Sequence, residues 1–116
     1  MTEFIEISGG TPLRGEVRVG GAKNAALPLI IASLLTGESY RFTNVPNLAD
    51  IGIELHLLEE LGAETSFHDG CVEVKTTQLK ACETSYSLVR ALRASFWVLA
   101  PLLARGGAAR VALPGG

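Results

Sequence analysis

Cysteines are few and the net charge is small in this chain of 116 residues, and each of these facts excludes a class of protein. The two cysteines, Cys71 and Cys82, form no CxxC pair, so the chain has no disulfide framework or zinc ribbon, and we expect reduced thiols. The formal net charge of −2 lacks the basic surface that binds nucleic acid or an anionic membrane. No uncharged run reaches the ~20 residues of a membrane-spanning helix, and no signal-peptide pattern is visible. We therefore expect a cytoplasmic protein without nucleic-acid or membrane partners.

Apolar side chains, in contrast, are abundant. Hydrophobic residues make up 47% of the chain and charged residues only 19%, which is an apolar balance for a single small domain. Much of the surface is therefore expected to be covered. His56 has no partner in the spacing of a metal site and His68 lies beside a turn, so no metal site is expected.

The most informative stretch is Val19-Gly20-Gly21-Ala22-Lys23-Asn24, which precedes an apolar helical pattern. The two glycines allow the backbone to turn closely around a ligand, and the first N–H groups of a helix have no partner within it. Lys23 adds a full positive charge at the same point. The stretch predicts a small anion site at a helix start, with a simple turn and a solvated lysine as the open alternative.

Local patterns predict the elements around this site. Residues 4–7 and 16–19 alternate between apolar and polar side chains, as half-buried strands do. A helix is expected over residues 24–35, with Asn24 as its N-cap. A further strand is expected over residues 40–45.

The middle of the chain predicts a helix followed by a hairpin. The helix opens at residues 47–50 and ends at Gly62, with Glu54 off its apolar stripe. That stripe consists of Ile51, Leu55, Leu58 and Leu61. Asp69-Gly70 between two strand-like runs is a strong signal for a hairpin over residues 64–75.

The last third of the chain predicts one long buried helix. Residues 84–105 are apolar on nearly all sides from Ala94 onward, which indicates burial rather than a one-sided surface helix. Pro101 predicts a kink or an early end. Residues 110–113 are expected to begin another strand.

An internal repeat links the two ends of the chain. Ala32-Ser33-Leu34-Leu35 aligns with Ala100-Pro101-Leu102-Leu103, and Val45-Pro46 aligns with Leu113-Pro114, both at an offset of 68 residues. The pattern predicts one strand–helix–strand–helix–hairpin unit over residues 15–76 and a second unit that is only half present. We therefore expect these residues to be part of a longer protein.

Several of these stretches together resemble one enzyme family. The octapeptide Gly21-Ala22-Lys23-Asn24-Ala25-Ala26-Leu27-Pro28 resembles the N-terminal signature of the UDP-N-acetylglucosamine 1-carboxyvinyltransferases, also called UDP-N-acetylglucosamine enolpyruvyl transferases. The agreement extends in order and spacing over essentially all of the chain. The further stretches are Asn44-Val45-Pro46-Asn47-Leu48 with Asp50, Leu57-Leu58 to Leu61-Gly62-Ala63, Arg90-Ala91-Leu92-Arg93-Ala94-Ser95-Phe96-Trp97, and Leu113-Pro114-Gly115-Gly116.

The resemblance implies an α/β (α+β) fold made of βαβαββ units, as in the inside-out α/β barrel of the enolpyruvyl transferases. Residues 1–21 would be N-terminal strands that pack with the other domain. Residues 22–116 would form part of the first domain, with one complete unit and a second that is incomplete in this chain.

The resemblance also implies a reaction and the residues that serve it. The family transfers an enolpyruvyl group from phosphoenolpyruvate to the 3-hydroxyl of UDP-N-acetylglucosamine and releases phosphate, the first committed step of peptidoglycan synthesis, without a cofactor. Lys23 and Asn24 carry over as phosphoenolpyruvate contacts and Arg93 as an anion contact. Arg90, three residues earlier on the same expected helix face, is a weaker candidate, with a structural salt bridge as the alternative.

No catalytic residue of the family falls within this chain, because the reactive cysteine would follow Gly116. We therefore expect the 116 residues alone to be inactive. A shikimate-type enolpyruvyl transferase is an alternative, although that family typically has Ser-Lys-Ser where this chain has Ala22-Lys23-Asn24. A cysteine or aspartate directly after Gly116 would favour the sugar-nucleotide enzyme. A third possibility is a non-catalytic module that self-associates through its apolar third helix.

Overall fold

The computed structural model describes residues 2–113, so the expected Pro-Gly-Gly stretch at residues 114–116 lies outside the described residues. Residues 2–20 form no helix or strand and are all exposed, to 88% for Ile5 and 89% for Val17. The strands predicted at residues 4–7 and 16–19 are absent. A strand needs a neighbour that pairs its backbone groups, and none of the described residues provides one here.

The first helix, α1, spans Lys23–Ala32 and continues as a 3₁₀ turn over Ser33–Leu35, which confirms the helix predicted there. Its N-cap is Ala22, with no capping side chain, so the prediction of Asn24 as the cap is wrong. Asn24 instead lies inside the first turn, with its side chain exposed. One side of α1 faces the core through Ala26, Leu27, Ile30 and Ile31.

Three antiparallel strands follow, in the order β1–β3–β2. They are β1 Ser39–Phe42, β2 Glu64–His68 and β3 Cys71–Lys75. The predicted hairpin is confirmed: Asp69 and Gly70 both have positive φ, 47° and 72°, as a tight type I′ turn requires. In β3 the alternate residues Val72 and Val74 are buried, so one face of the sheet meets the core and the other meets solvent.

The second helix, α2, spans Ala49–Glu60 and packs against both α1 and β2. Its predicted stripe is buried, and Gly62, with φ of +114°, follows its end as expected. Leu57 and Glu54 are also fully buried. The prediction that Glu54 lies off the buried side is therefore wrong, because it follows Ile51 by three residues and precedes Leu58 by four, which places all three on one side of α2.

The single helix predicted over residues 84–105 is wrong. The region contains α3, Tyr86–Ala91, then a 3₁₀ helix over Arg93–Val98, then α4, Leu99–Gly106. Leu92 separates the first two with an extended backbone, φ −143° and ψ 112°. A continuous 22-residue helix would be about 33 Å long, and the break lets shorter pieces pack on one core.

Pro101 does not cause that break. It is the third residue of α4, within the first turn, where its missing N–H has no acceptor in the helix. The helix continues past the proline to Gly106 and ends with Gly107 at φ 77°, so the early end considered for Pro101 does not occur and the glycine stop is confirmed. Burial of this region is uneven: Val98 and Leu102 are fully buried, whereas half of the Trp97 side chain is exposed.

No helix among residues 2–113 is long and apolar enough to span a membrane.

Hydrogen bonds from Arg105 help to attach the last third of the chain to the rest, in addition to the packing of its helical segments on α1 and α2. The Arg105 guanidinium donates hydrogen bonds to the carbonyls of Leu34, Thr36 and Thr77 over 2.9–3.2 Å. In place of the strand predicted at residues 110–113, Arg110 forms a single parallel bridge with Glu83. The chain before α3 and the chain after α4 thus run side by side, as the first and second strands of a βαβ unit do.

Candidate functional site

The start of α1 is placed by a close backbone contact at Gly21. A Cβ atom on this residue would lie 1.7 Å from the carbonyl oxygen of Asn44, so only glycine fits without movement. Asn44 itself has a positive φ of 56°, just beyond β1. Gly20, by comparison, has open space around its Cα. Of the two glycines in the motif, Gly21 is therefore the one that the tertiary structure requires.

We expect Gly21→Ala to lower the free energy of unfolding by about 1–3 kcal/mol, because the added methyl must displace either α1 or the end of β1. Gly20→Ala is the matched control, and it should change the stability little. Thermal and urea denaturation of both variants measure the difference. Equal midpoints for Gly21→Ala and Gly20→Ala would contradict the close contact.

Lys23 is the first residue of α1, as the motif predicted, and its ammonium is paired with a carboxylate. Its Nζ lies 3.0 Å from Oδ2 of Asp50, the second residue of α2. The two side chains are 44% and 32% exposed, so the pair is accessible to a ligand. The structure thus brings the first turns of two helices together around one lysine. Asp50 belongs to one of the stretches that carry the family resemblance, but nothing in the sequence indicated that its carboxylate pairs with Lys23.

The backbone of the first turn of α1 provides hydrogen-bond donors. The N–H groups of Ala25 and Ala26 both donate to the carbonyl of Ala22, over 3.2 and 3.0 Å. The two preceding amides, those of Lys23 and Asn24, precede the first intrahelical bonds and have no acceptor in the helix. Free amides, the positive end of the helix dipole and an ammonium together favour an anion at this point.

Arg93 lies on a segment that packs against α1, because the 3₁₀ helix Arg93–Val98 contacts that helix. Arg90 ends up elsewhere: it belongs to α3, and the extended Leu92 separates the two arginines. The expectation that they share one helix face is therefore wrong. Both side chains are exposed, and within residues 2–113 neither has an ion-pair partner, so the structural salt bridge considered for Arg90 does not form there.

A buried carboxyl lies one helical turn beyond the ion pair. Glu54 is fully buried, and neither of its carboxylate oxygens has a hydrogen-bond partner among the described residues. Burial, and secondarily the negative charge of Asp50 four residues earlier, raises the pKa of Glu54 to about 9. This carboxyl is therefore protonated at neutral pH. The signal that could have found it is its spacing from Ile51 and Leu58, which places it on the apolar side of α2 despite its charge.

Other side chains in the described part of the chain form neither a metal site nor a disulfide. No group of three or more histidine, cysteine, aspartate or glutamate residues among residues 2–113 could hold a metal ion. Cys71 and Cys82 are both free thiols in different places, and the Cys71 sulfur accepts a hydrogen bond from Nε of Arg41 at 3.1 Å. Among the described residues, Lys23 and the two free amides are the groups best suited to bind an anion, and Arg93 lies on a segment that packs against the same helix.

Comparison with known proteins identifies relatives of this chain. Residues 7–116 match the family described as EPSP synthase (3-phosphoshikimate 1-carboxyvinyltransferase). A UDP-N-acetylglucosamine 1-carboxyvinyltransferase of Psychromonas ingrahamii is 50% identical over 116 residues, covering 100% of this chain and 27% of its own. A protein of the same name from Campylobacter hominis is 46% identical over 115 residues, covering 98% of this chain and 28% of its own.

A solved structure has a similar fold. The enolpyruvyl transferase NikO from Streptomyces tendae superposes with a TM-score of 0.74 at 24% identity, over 87% of this chain and 24% of that one. This likeness confirms the fold class expected from the sequence. The chain spans about a quarter of the length of the curated relatives that it matches. Because the family match covers nearly every residue, including the Lys23 motif, the chain belongs to the EPSP synthase (3-phosphoshikimate 1-carboxyvinyltransferase) family of enolpyruvyl transferases.

Proposed function

We propose that this chain contributes part of the phosphoenolpyruvate site of a UDP-N-acetylglucosamine 1-carboxyvinyltransferase. The observation that carries the proposal is Lys23 in the first turn of α1, accessible to a ligand and in the same turn as two free backbone amides. Phosphoenolpyruvate brings a phosphate and a carboxylate, and both need cations and N–H donors. The names of the relatives at 46–50% identity favour the sugar nucleotide as the acceptor.

The reaction needs charge neutralisation before anything else. The sugar 3-hydroxyl loses its proton and its oxygen bonds to C2 of phosphoenolpyruvate while C3 gains a proton. Loss of a proton from C3 and breaking of the bond between C2 and the phosphate oxygen then restore the double bond. Lys23 would bind the phosphate and the Asn24 amide would hold the substrate beside it. Arg93 would supply a planar guanidinium that can form two parallel bonds to an anion, which a lysine cannot do.

The domain arrangement and cellular role follow from the same proposal. Residues 1–21 would pack as strands against the other domain, which fits the exposure of residues 2–20 and of the large apolar side chains among them. Residues 22–116 would form part of the first domain. The protein would be cytoplasmic and act in peptidoglycan synthesis, and hence in cell-wall formation, cell shape and division. Self-association of the isolated chain would be a consequence of its uncovered apolar surface.

The proposal is tested in a chimeric enzyme, in which residues 1–116 replace the matching stretch of the Psychromonas ingrahamii relative. We expect this chimera to release phosphate from phosphoenolpyruvate in the presence of UDP-N-acetylglucosamine and not in the presence of shikimate 3-phosphate. The unmodified relative serves as the positive control. Release with shikimate 3-phosphate alone would favour the shikimate-type alternative, and a folded chimera without activity would contradict the proposal.

A further inference from the structure

The ion pair at the site joins two separate helices. Lys23 and Asp50 are 27 residues apart in the sequence, and their contact exists only because the first turns of α1 and α2 meet. Two features fix the position of Asp50 at the start of α2. Its neighbour Ile51 is fully buried, and the helix dipole favours a carboxylate in the first turn of a helix. Lys23, in contrast, is a flexible side chain, 44% exposed. The more rigid partner is therefore the carboxylate.

We propose that Asp50 is a positioning residue, which holds the ammonium of Lys23 over the first turn of α1 for an incoming phosphate; this inference rests on the function proposed above. A lysine side chain that is ordered in advance loses less conformational entropy when it binds a ligand. An ammonium has three N–H donors, so one bond to Asp50 leaves two for the substrate. The pair is thus compatible with phosphoenolpyruvate binding and does not need to break.

The use of the substrates distinguishes a positioning role from a purely structural salt bridge. Stability does not, because partly exposed pairs such as this one contribute little to it, so losing the carboxylate should barely change the unfolding midpoint. A positioning role instead predicts a selective loss in the use of one substrate. It also predicts that the loss depends on the presence of Lys23.

The first experiment uses the 116-residue chain itself and does not depend on activity. In NMR spectra, the two ε-methylene protons of Lys23 should have distinct chemical shifts in the wild-type chain, because Asp50 holds the side chain. They should merge in Asp50→Asn and stay distinct in Glu60→Gln, which removes an exposed carboxylate from the same helix. Lys75, which has no ion-pair partner within residues 2–113, is the internal reference for a freely rotating lysine. Merged Lys23 signals in the wild-type chain would overturn the proposal.

The second experiment measures kinetics in the chimeric enzyme. Asp50→Asn should raise KM for phosphoenolpyruvate about tenfold, since the lysine must then be ordered by the substrate, and leave KM for UDP-N-acetylglucosamine within about twofold. Asp50→Glu should restore most of the loss, and Glu60→Gln should behave as the unsubstituted chimera. In the Lys23→Ala background, Asp50→Asn should have no further effect, because a residue that acts through Lys23 cannot act without it.

The outcomes separate the inference from the function on which it rests. Equal rises in both KM values, or an Asp50→Asn effect that persists without Lys23, would show a general structural defect and overturn the positioning role. Kinetics for Asp50→Asn that match those of Glu60→Gln would overturn it as well. If the unsubstituted chimera releases no phosphate, the proposed function is what fails, and the NMR comparison alone decides whether Asp50 orders Lys23.

Discussion

Glu54→Gln is expected to stabilise the chain at neutral pH and to flatten the pH dependence of its stability. Burial without a hydrogen-bond partner raises the pKa of this carboxyl from 4.5 to about 9. Between these values the folded chain keeps a proton that the unfolded chain releases, so the free energy of unfolding falls as the pH rises. The penalty is absent below about pH 4.5 and grows by up to about 1.4 kcal/mol per pH unit above it, reaching about 3 kcal/mol near pH 7.

Urea denaturation from pH 5 to pH 8 measures this effect. The wild-type chain should lose several kcal/mol of stability relative to Glu54→Gln over that range, at about 1.4 kcal/mol per pH unit. Glu54→Met, which also removes the buried polar atoms, should be more stable than either at pH 7. Glu60→Gln is the matched control on the exposed side of α2. Parallel pH curves for wild type and Glu54→Gln would contradict a buried, protonated carboxyl.

Lys23→Ala is expected to reduce kcat/KM for phosphoenolpyruvate about 10- to 150-fold in the chimeric enzyme, which corresponds to a charge-assisted hydrogen bond of about 1.5–3 kcal/mol. The ammonium lies at the start of α1, where backbone amides already favour an anion, so its loss removes the main positive charge of that turn. The fold should remain, because the ion pair with Asp50 is partly exposed and contributes little to stability.

Two further variants sharpen this measurement. Lys23→Arg should restore only part of the activity, since a planar guanidinium is larger and is hydrated differently from an ammonium. Lys75→Ala removes an exposed lysine from β3, away from the site, and should leave the kinetics unchanged. A near-wild-type specificity constant for Lys23→Ala would mean that Lys23 is a solvated surface residue, the alternative that the sequence left open.

The N-terminal segment shows the limit of local pattern reading. Residues 16–19 alternate as a strand should, yet the structure leaves them unpaired and exposed. Alternation describes a segment that can pair, whereas pairing itself depends on a partner from elsewhere in the chain or from another protein.

The prediction of one helix over residues 84–105 is wrong for a related reason. The apolar content of these residues predicted burial on nearly all sides, but Trp97 and Leu103 are about half exposed. The break at Leu92 lets the shorter pieces pack on a small core.

What the sequence by itself determined are the features that depend on neighbours in the chain. The Asp69-Gly70 turn sets its hairpin because both residues tolerate positive φ, and the stripe on α2 specifies which side of that helix is buried. The glycine–lysine motif likewise puts Lys23 at the start of α1. Only the tertiary structure decided that Lys23 meets Asp50 and that no described residue pairs with the buried carboxyl of Glu54. Both depend on how whole helices pack, and packing brings together residues that no local periodicity connects.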